Sequence, residues 1–222
     1  MLAVLVAAVI PRAVAEDFHA TVQVERQSGK RATSSANVVV WLTPLDAKVE
    51  VAPLKNVRLL QKDKRFSPHL LVVTSGTQVE FPNLDPFFHN VFSIYNGKRF
   101  DLGLYEAGSS RSVLFDRPGV SFIFCNIHPE MSGLVVVLNT PYYAVSGAKG
   151  EIAIRNVPPG RYRLNYWYER SSTDELNKVA REISIPQQHE GGTVQIPEVL
   201  PENVPHKNKY GKDYDPNQPY KE

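Results

Sequence analysis

One cysteine stands in the 222 residues, Cys125, and methionine occurs only at positions 1 and 131. A single thiol excludes an intramolecular disulfide framework and argues against a structural zinc site, which uses two or more cysteines as a rule. Charge of one sign is equally scarce: 25 Lys and Arg face 23 Asp and Glu, and no long basic run occurs. Nucleic acid is therefore not an expected partner. Apolar runs are short as well. The longest, Met1–Ile10, has about half the ~20 residues that a membrane-spanning helix needs. No Ser-His-Asp arrangement, phosphate-binding Gly loop or paired-carboxylate motif stands out.

What is present begins with that apolar run. It is followed by Pro11, Arg12 and Ala13-Val14-Ala15 ahead of the acidic pair Glu16-Asp17. Although a positive n-region is missing, the pattern reads as a signal peptide (1–15) cleaved after Ala15, which implies export to the periplasm. Export sharpens the meaning of Cys125, because exported proteins normally pair their cysteines. An unpaired thiol there is either a small buried hydrophobe or a metal-bound thiolate.

Hydrophobic residues make up 42% of the chain, enough for a real core. From residue 18 to about 197, short β-branched and aromatic runs alternate with Gly, Pro, Asn and Asp, the signature of an all-β sandwich or barrel. Strands are expected at 20–25, 36–43, 57–61, 70–74, 77–82, 90–95, 111–116, 119–125, 133–138, 151–156, 161–168 and 181–185. One short helix is expected, with Ser172-Thr173-Asp174-Glu175 as a capping box before Leu176–Ala180. The organisation reads as N-terminal strands at 16–54, a functional β domain at 55–139, a smaller β domain at 140–200 and a flexible tail at 201–222. The strands in 16–54 could edge either domain. If they pair with 151–168, the functional domain is inserted into a split sandwich. The tail is almost wholly polar, charged, Pro or Tyr, with little apolar surface to offset ordering entropy, so it is flexible or wrapped on a partner.

The chemistry concentrates in Cys125-Asn126-Ile127-His128-Pro129-Glu130-Met131, which follows the apolar strand Val120–Phe124. Thiolate, imidazole and thioether stand three residues apart, and His89 lies upstream at the head of another strand. Two His nitrogens and one Cys sulfur with a weak axial Met form the ligand set of blue-copper electron-transfer centres. Cys and His also suit zinc, but a thioether and a single Cys do not. Taken singly, each residue has a plainer reading, a surface or core His and a packing Met. Their conjunction on one loop favours a single copper ion held by His89, Cys125, His128 and Met131. Two further residues could approach the metal: His69, otherwise a structural histidine, and Glu130, as an alternative axial donor.

With those residues in view, 66–138 resembles a cupredoxin, and the Cys-x2-His-x2-Met spacing is similar to that of amicyanin. Plastocyanin and pseudoazurin have a longer gap before Met. The resemblance implies a Greek-key sandwich. It also implies that Asn90, after His89, tethers the ligand loop and shields the thiolate. The wider run Phe66-Ser67-Pro68-His69, Val79–Asn83 and His89–Ser93 resembles the plastocyanin-like group labelled methylamine utilisation proteins. In that group a small β domain like a carboxypeptidase regulatory domain accompanies the copper domain, and Val157-Pro158-Pro159-Gly160-Arg161-Tyr162 is similar to it. Pro86, Phe87, Phe88 and Pro129 would then surround the site with apolar atoms and leave the edge of His128 as the electron port.

The expected function is a periplasmic, non-enzymatic electron carrier cycling Cu(I) and Cu(II), with a cytochrome or an oxidoreductase as redox partner. Copper storage or delivery is disfavoured by the two methionines. An open-site copper enzyme or sensor would have only Glu130 and His69 as supports. A degenerate interaction module is disfavoured because all four ligand types are present. Tyr162, Tyr166, Trp167 and Tyr168 read as sandwich core and edge, or as an aromatic docking face.

Overall fold

The computed structural model describes residues 14–94, 97–201 and 206–214. The apolar part of the expected export signal therefore lies outside the described residues. Among those described, no helix is long and apolar enough to cross a membrane.

The chain is all-β. Its strands are β1 (Glu16–Arg26), β2 (Val39–Pro44), β3 (Val57–Arg58), β4 (Leu60–Lys62), β5 (Arg65–Ser67), β6 (Leu70–Thr74), β7 (Thr77–Pro82), β8 (His89–Ser93) and β9 (Phe100–Tyr105). There follow β10 (Ser110–Phe115), β11 (Gly119–Phe124), β12 (Ser132–Leu138), β13 (Tyr143–Val145), β14 (Glu151–Val157), β15 (Gly160–Trp167), the helix α1 (Thr173–Val179), β16 (Arg181–Ile185) and β17 (Glu190–Glu198). These elements divide into two compact units.

The first unit comprises the chain up to Lys48 together with Tyr142–Glu198. One sheet has the order β14-β1-β17 and the other β13-β2-β15-β16. The N-terminal strands thus pair with downstream ones: β1 runs antiparallel to β14, and β2 antiparallel to β15. Residues 140–200, expected as a domain of their own, complete their sheets with β1 and β2. The reason lies in the period-two pattern of β14 and β15, which turns Ile152, Ile154, Tyr162, Leu164 and Tyr166 to one side. That apolar face is closed by Phe18, Val22, Val24, Val40 and Leu42 from β1 and β2. Gly150 fixes the approach of β14 to β1: at φ +84°, an added Cβ would lie 1.9 Å from the Val22 carbonyl oxygen. Ser172 caps α1, its hydroxyl accepting from the Glu175 amide, as the capping pattern requires.

The second unit comprises the described residues of Val49–Pro141 and those from Val199 onward. Its larger sheet has the order β6-β12-β11-β8-β9, its smaller one β10-β7-β3, and β4 and β5 form a hairpin. Strand β12 lies between β6, which is parallel to it, and β11, which is antiparallel. Gly133–Leu138 is buried throughout, which accounts for the unbroken run Leu134–Leu138 where a half-exposed strand would alternate. Both sheets feed one core: Val79, Phe81, Val113 and Phe115 from the smaller, and Val73, Val91, Ile123, Val135 and Val137 from the larger. Cys125 and Met131 belong to that same cluster.

Candidate metal centre

Topology brings the site together. Strands β11 and β12 are antiparallel neighbours with Phe124 opposite Ser132, so Cys125–Met131 is the loop joining them at one end of the sheet. Strand β8 lies on the other side of β11, with Phe92 opposite Phe124. Running antiparallel, it carries its first residue, His89, to the end where Cys125 emerges. Two backbone bonds fold the loop inward: Cys125 N–H donates to the Met131 carbonyl at 3.2 Å, and Met131 N–H to the His128 carbonyl at 2.9 Å.

Three side chains converge. Cys125 Sγ lies 3.7 Å from His89 Nδ1 and 3.6 Å from His128 Nδ1, and the two Nδ1 atoms are 3.1 Å apart. These edges are short enough for one ion with bonds of roughly 2.0–2.3 Å to reach all three atoms. This is the only such cluster among the described residues. His89, Cys125 and Met131 are fully buried, while His128 is half-buried. Met131 thus belongs to the same apolar core cluster as Cys125.

Burial pushes the Cys125 thiol up, against the amides of Asn90, Ile127 and His128 that point at the sulfur and favour its thiolate. Burial, the His89 ring and the Lys64 ammonium hold the His128 imidazole below its ordinary range, which leaves its lone pair free.

His89 is oriented from behind. Its Nε2 donates to Asp85 Oδ2 at 2.8 Å, which turns Nδ1 toward the cluster. Asp85 is in turn gripped by the turn of the β4–β5 hairpin: Asp63 N–H donates to Oδ1 at 2.7 Å and Lys64 N–H to Oδ2 at 3.0 Å. Asp63 and Lys64 have φ of 55° and 54°, the paired left-handed conformation of a two-residue hairpin turn. Burial pushes the Asp85 carboxyl up, but the Lys64 amide, the His89 ring and the Asp63 amide outweigh it and leave the carboxyl below its usual range. Sequence reasoning passed over Asp85. It lies four residues before a ligand in a loop, where no periodicity marks a contact.

Other expected residues are placed differently. His69 is not in the cluster; its Nδ1 lies 3.3 Å from the Ser132 carbonyl oxygen. Glu130 is exposed. The Asn90 side chain does not tether the ligand loop, since its Nδ2 donates to Asp101 Oδ1 at 2.7 Å; its backbone amide is what faces the sulfur. Of the apolar surround, Phe87 packs on both imidazoles, at ring distances of 5.2 Å to His89 and 5.5 Å to His128. Pro86, Phe88 and Pro129 are exposed.

No protein-family model and no curated protein sequence matches the chain. Solved structures do resemble it, cupredoxins and a copper enzyme among them. A purple cupredoxin from Nitrosopumilus maritimus is 28% identical over 37% of this chain and 100% of its own, with a TM-score of 0.34. A reduced amicyanin variant is 20% identical over 44% of this chain and 99% of its own, with a TM-score of 0.35. The copper-containing nitrite reductase of Thermus scotoductus SA-01 is 25% identical over 43% of this chain, with a TM-score of 0.37, and only 25% of its length is covered. The scores are low, and the metal assignment rests on the donor set: two imidazoles and one thiolate converging beside a buried thioether residue suit one copper ion.

Proposed function

We propose that the chain is an exported electron carrier that holds one copper ion between His89, Cys125 and His128, with Met131 as the weak axial ligand. The observation that carries this reading is the convergence of His89 Nδ1, His128 Nδ1 and Cys125 Sγ within 3.7 Å of one another. Copper bound there would supply a one-electron couple between Cu(I) and Cu(II). The protein's part is to keep the donors fixed, so that gain or loss of an electron demands little rearrangement. Asp85 and the hairpin amides hold His89, the paired strands β11 and β12 flank Cys125 and Met131, and Phe87 packs on both imidazoles.

A carrier rather than an enzyme is favoured by what surrounds the donors. Asp85 is engaged behind His89, Glu130 is exposed and His69 is directed at the Ser132 carbonyl. None of these side chains is placed to handle a substrate proton at the point where the donors converge. Half-buried His128, backed by Phe87, is the route by which an electron reaches a partner, a cytochrome or an oxidoreductase of the periplasm. The periplasmic placement rests on the apolar Met1–Ile10 run and the Ala13-Val14-Ala15 cleavage pattern.

Titration of the chain with Cu(II), followed by visible absorption and electron paramagnetic resonance, tests the reading. An intense thiolate-to-copper band saturating at one equivalent, lost on reduction, regained on oxidation and absent from Cys125→Ala, is the expected result. Tight binding without that band, or binding indifferent to the loss of Cys125, overturns it.

A further inference from the structure

The loop that carries Cys125, His128 and Met131 is held from outside by part of the tail that composition marks as flexible or wrapped on a partner. Residues 206–214 lie along it. The His206 ring stacks on Phe124, centroids 3.9 Å apart and planes 24° from parallel. Its Nε2 donates to the Pro129 carbonyl at 2.7 Å. The Tyr214 hydroxyl donates to the Cys125 carbonyl at 3.0 Å. Between them, Lys209 N–H donates to Asn126 Oδ1 at 3.0 Å. Four loop or loop-edge residues are thereby engaged, one of them a proposed ligand and one the neighbour of another.

The segment has its own stiffness. Asn208 is buried, and its Oδ1 accepts from the amides of Tyr210 and Lys212 at 2.9 and 3.1 Å. Asn208 N–H donates to the Lys212 carbonyl at 2.8 Å, closing a turn that Gly211 completes at φ +75°. The Tyr214 and His206 rings meet edge to face at 5.2 Å. Lys209 Nζ reaches Asp101 Oδ2 at 2.9 Å, and the other oxygen of Asp101 accepts from Asn90, the residue after His89. Contacts therefore reach both sides of the donor cluster: the ligand loop directly, and the His89 strand through Asp101.

We propose that residues 206–214 form a strap over the ligand loop, in which His206 and Tyr214 are positioning residues. They hold Cys125 and His128 in a binding-ready arrangement before the metal arrives and slow its escape afterwards. For a bound ion to leave, donors on the loop must swing away from His89. With the carbonyls of Cys125 and Pro129 held by Tyr214 and His206, and Phe124 pinned under an imidazole, that motion first requires the strap to lift. The part concerning metal release rests on the copper reading above. The part concerning loop order stands without it.

The test uses the full chain with Tyr214→Phe, His206→Ala, the double variant and the donor-retaining His206→Gln. Two readouts are taken: amide hydrogen exchange of Cys125–Met131 in the metal-free protein, and the half-life of the copper-thiolate band against excess chelator. Each single deletion is expected to speed loop exchange and metal loss by about five-fold, the equivalent of one hydrogen bond of ~1 kcal/mol. His206→Gln should fall closer to the parent, and exchange in β14 and β15 should be unchanged in every variant. Parental loop exchange in the double variant overturns the strap, as does an acceleration spread equally over β14 and β15. Should the parent itself show no copper band, the electron-carrier reading fails, while loop exchange in the metal-free chain still decides the strap.

Discussion

The two units are built on the same plan of packed sheets but bury different things. In the first unit the interior is mostly apolar, and among the described residues its buried polar ones are Ser35, Ser146, Ser171 and Glu198. Glu198 is matched by Arg170 at 3.1 Å and Arg26 at 3.6 Å. The second unit buries Gln61, Asn83, Asp85, His89, Asn90, Asn126 and Asn208 besides several hydroxyls. Burying such groups is unfavourable unless each finds a partner. Most of them do, in chains that lead to the donors: the hairpin amides to Asp85 to His89, and Lys209 to Asp101 to Asn90. Gln61 is paired on one side only: its Nε2 donates to Tyr105 and to the Phe81 carbonyl, while its buried Oε1 has no hydrogen-bond partner among the described residues. One unit is thus shaped chiefly by packing, with a few buried serines and one carboxylate tied down, the other by packing plus the need to aim particular atoms.

The sharpest way to separate these roles is to damage each unit where it is most itself. Phe18 is fully buried in the first unit, and an added Cβ on Gly191 would come within 2.5 Å of its ring. Phe18→Ala removes the ring from a tightly filled site and is expected to destabilise the first unit by about 3–5 kcal/mol. Denaturant unfolding measures the loss. The copper-thiolate band per folded molecule should not change; a weakened band would show that the metal centre depends on the first unit's packing.

Next in size is Asp85→Ala. It leaves His89 Nε2–H and the amides of Asp63 and Lys64 without their acceptor, and is expected to cost about 1–3 kcal/mol. Here, unlike in Phe18→Ala, the spectrum should change as well, because His89 loses the contact that orients its ring. Asp85→Asn keeps one oxygen acceptor and should fall between the variant and the parent. The carboxyl also gives a pH signature. Its folded-state value lies below its ordinary one, so its contribution to stability is fully present above the unfolded carboxylate range. That contribution fades as pH falls through the lower folded value, and Asp85→Asn should abolish this part of the acid-side loss.

The same contrast governs what the sequence made legible. The donor cluster was readable because His89, Cys125, His128 and Met131 carry their chemistry in their identities, and the loop spacing follows from a hairpin between β11 and β12. Strands with clean alternation, such as β14 and β15, were readable for the same local reason. What stayed hidden is non-local. Strand β17 contains Gly191, Gly192 and Pro197, poor strand formers by composition, yet it pairs in parallel with β1 over Thr21–Arg26. Strand β9 is interrupted by Gly103 and is held as an edge by pairing with β8. Neither Asp85 nor the 206–214 segment has a pattern of its own. The partners that give them meaning are loop carbonyls, an imidazole and backbone amides.

The Cys125 thiol is pushed up by burial, so at neutral pH it carries its proton, which a bound cation must displace. The His128 imidazole, held below its ordinary range by burial and by the His89 ring and Lys64, contributes less to that release. Apparent copper affinity should therefore rise about ten-fold per pH unit through the neutral range, as expected for release of one proton. Affinity measured between pH 6 and 8 in a competing chelator of known protonation checks this. A flat profile would mean that the thiolate is already formed or takes no part.

The smallest expected change in stability comes from Met131→Leu, and it bears on the line between the two kinds of interior. Met131 is fully buried and packed with Cys125 in the second unit's core. If it only fills space, a side chain of nearly equal volume should replace it with a cost below about 1.5 kcal/mol and leave the copper spectrum as it was. As a weak axial ligand it should behave otherwise. The unfolding midpoint should stay within that small margin, while the absorption envelope and the reduction potential move, because the axial donor is among the groups that set them. A variant unchanged in both would assign Met131 to packing and leave the centre with three donors. A shifted potential at nearly constant stability would show a core residue selected for its sulfur rather than its volume.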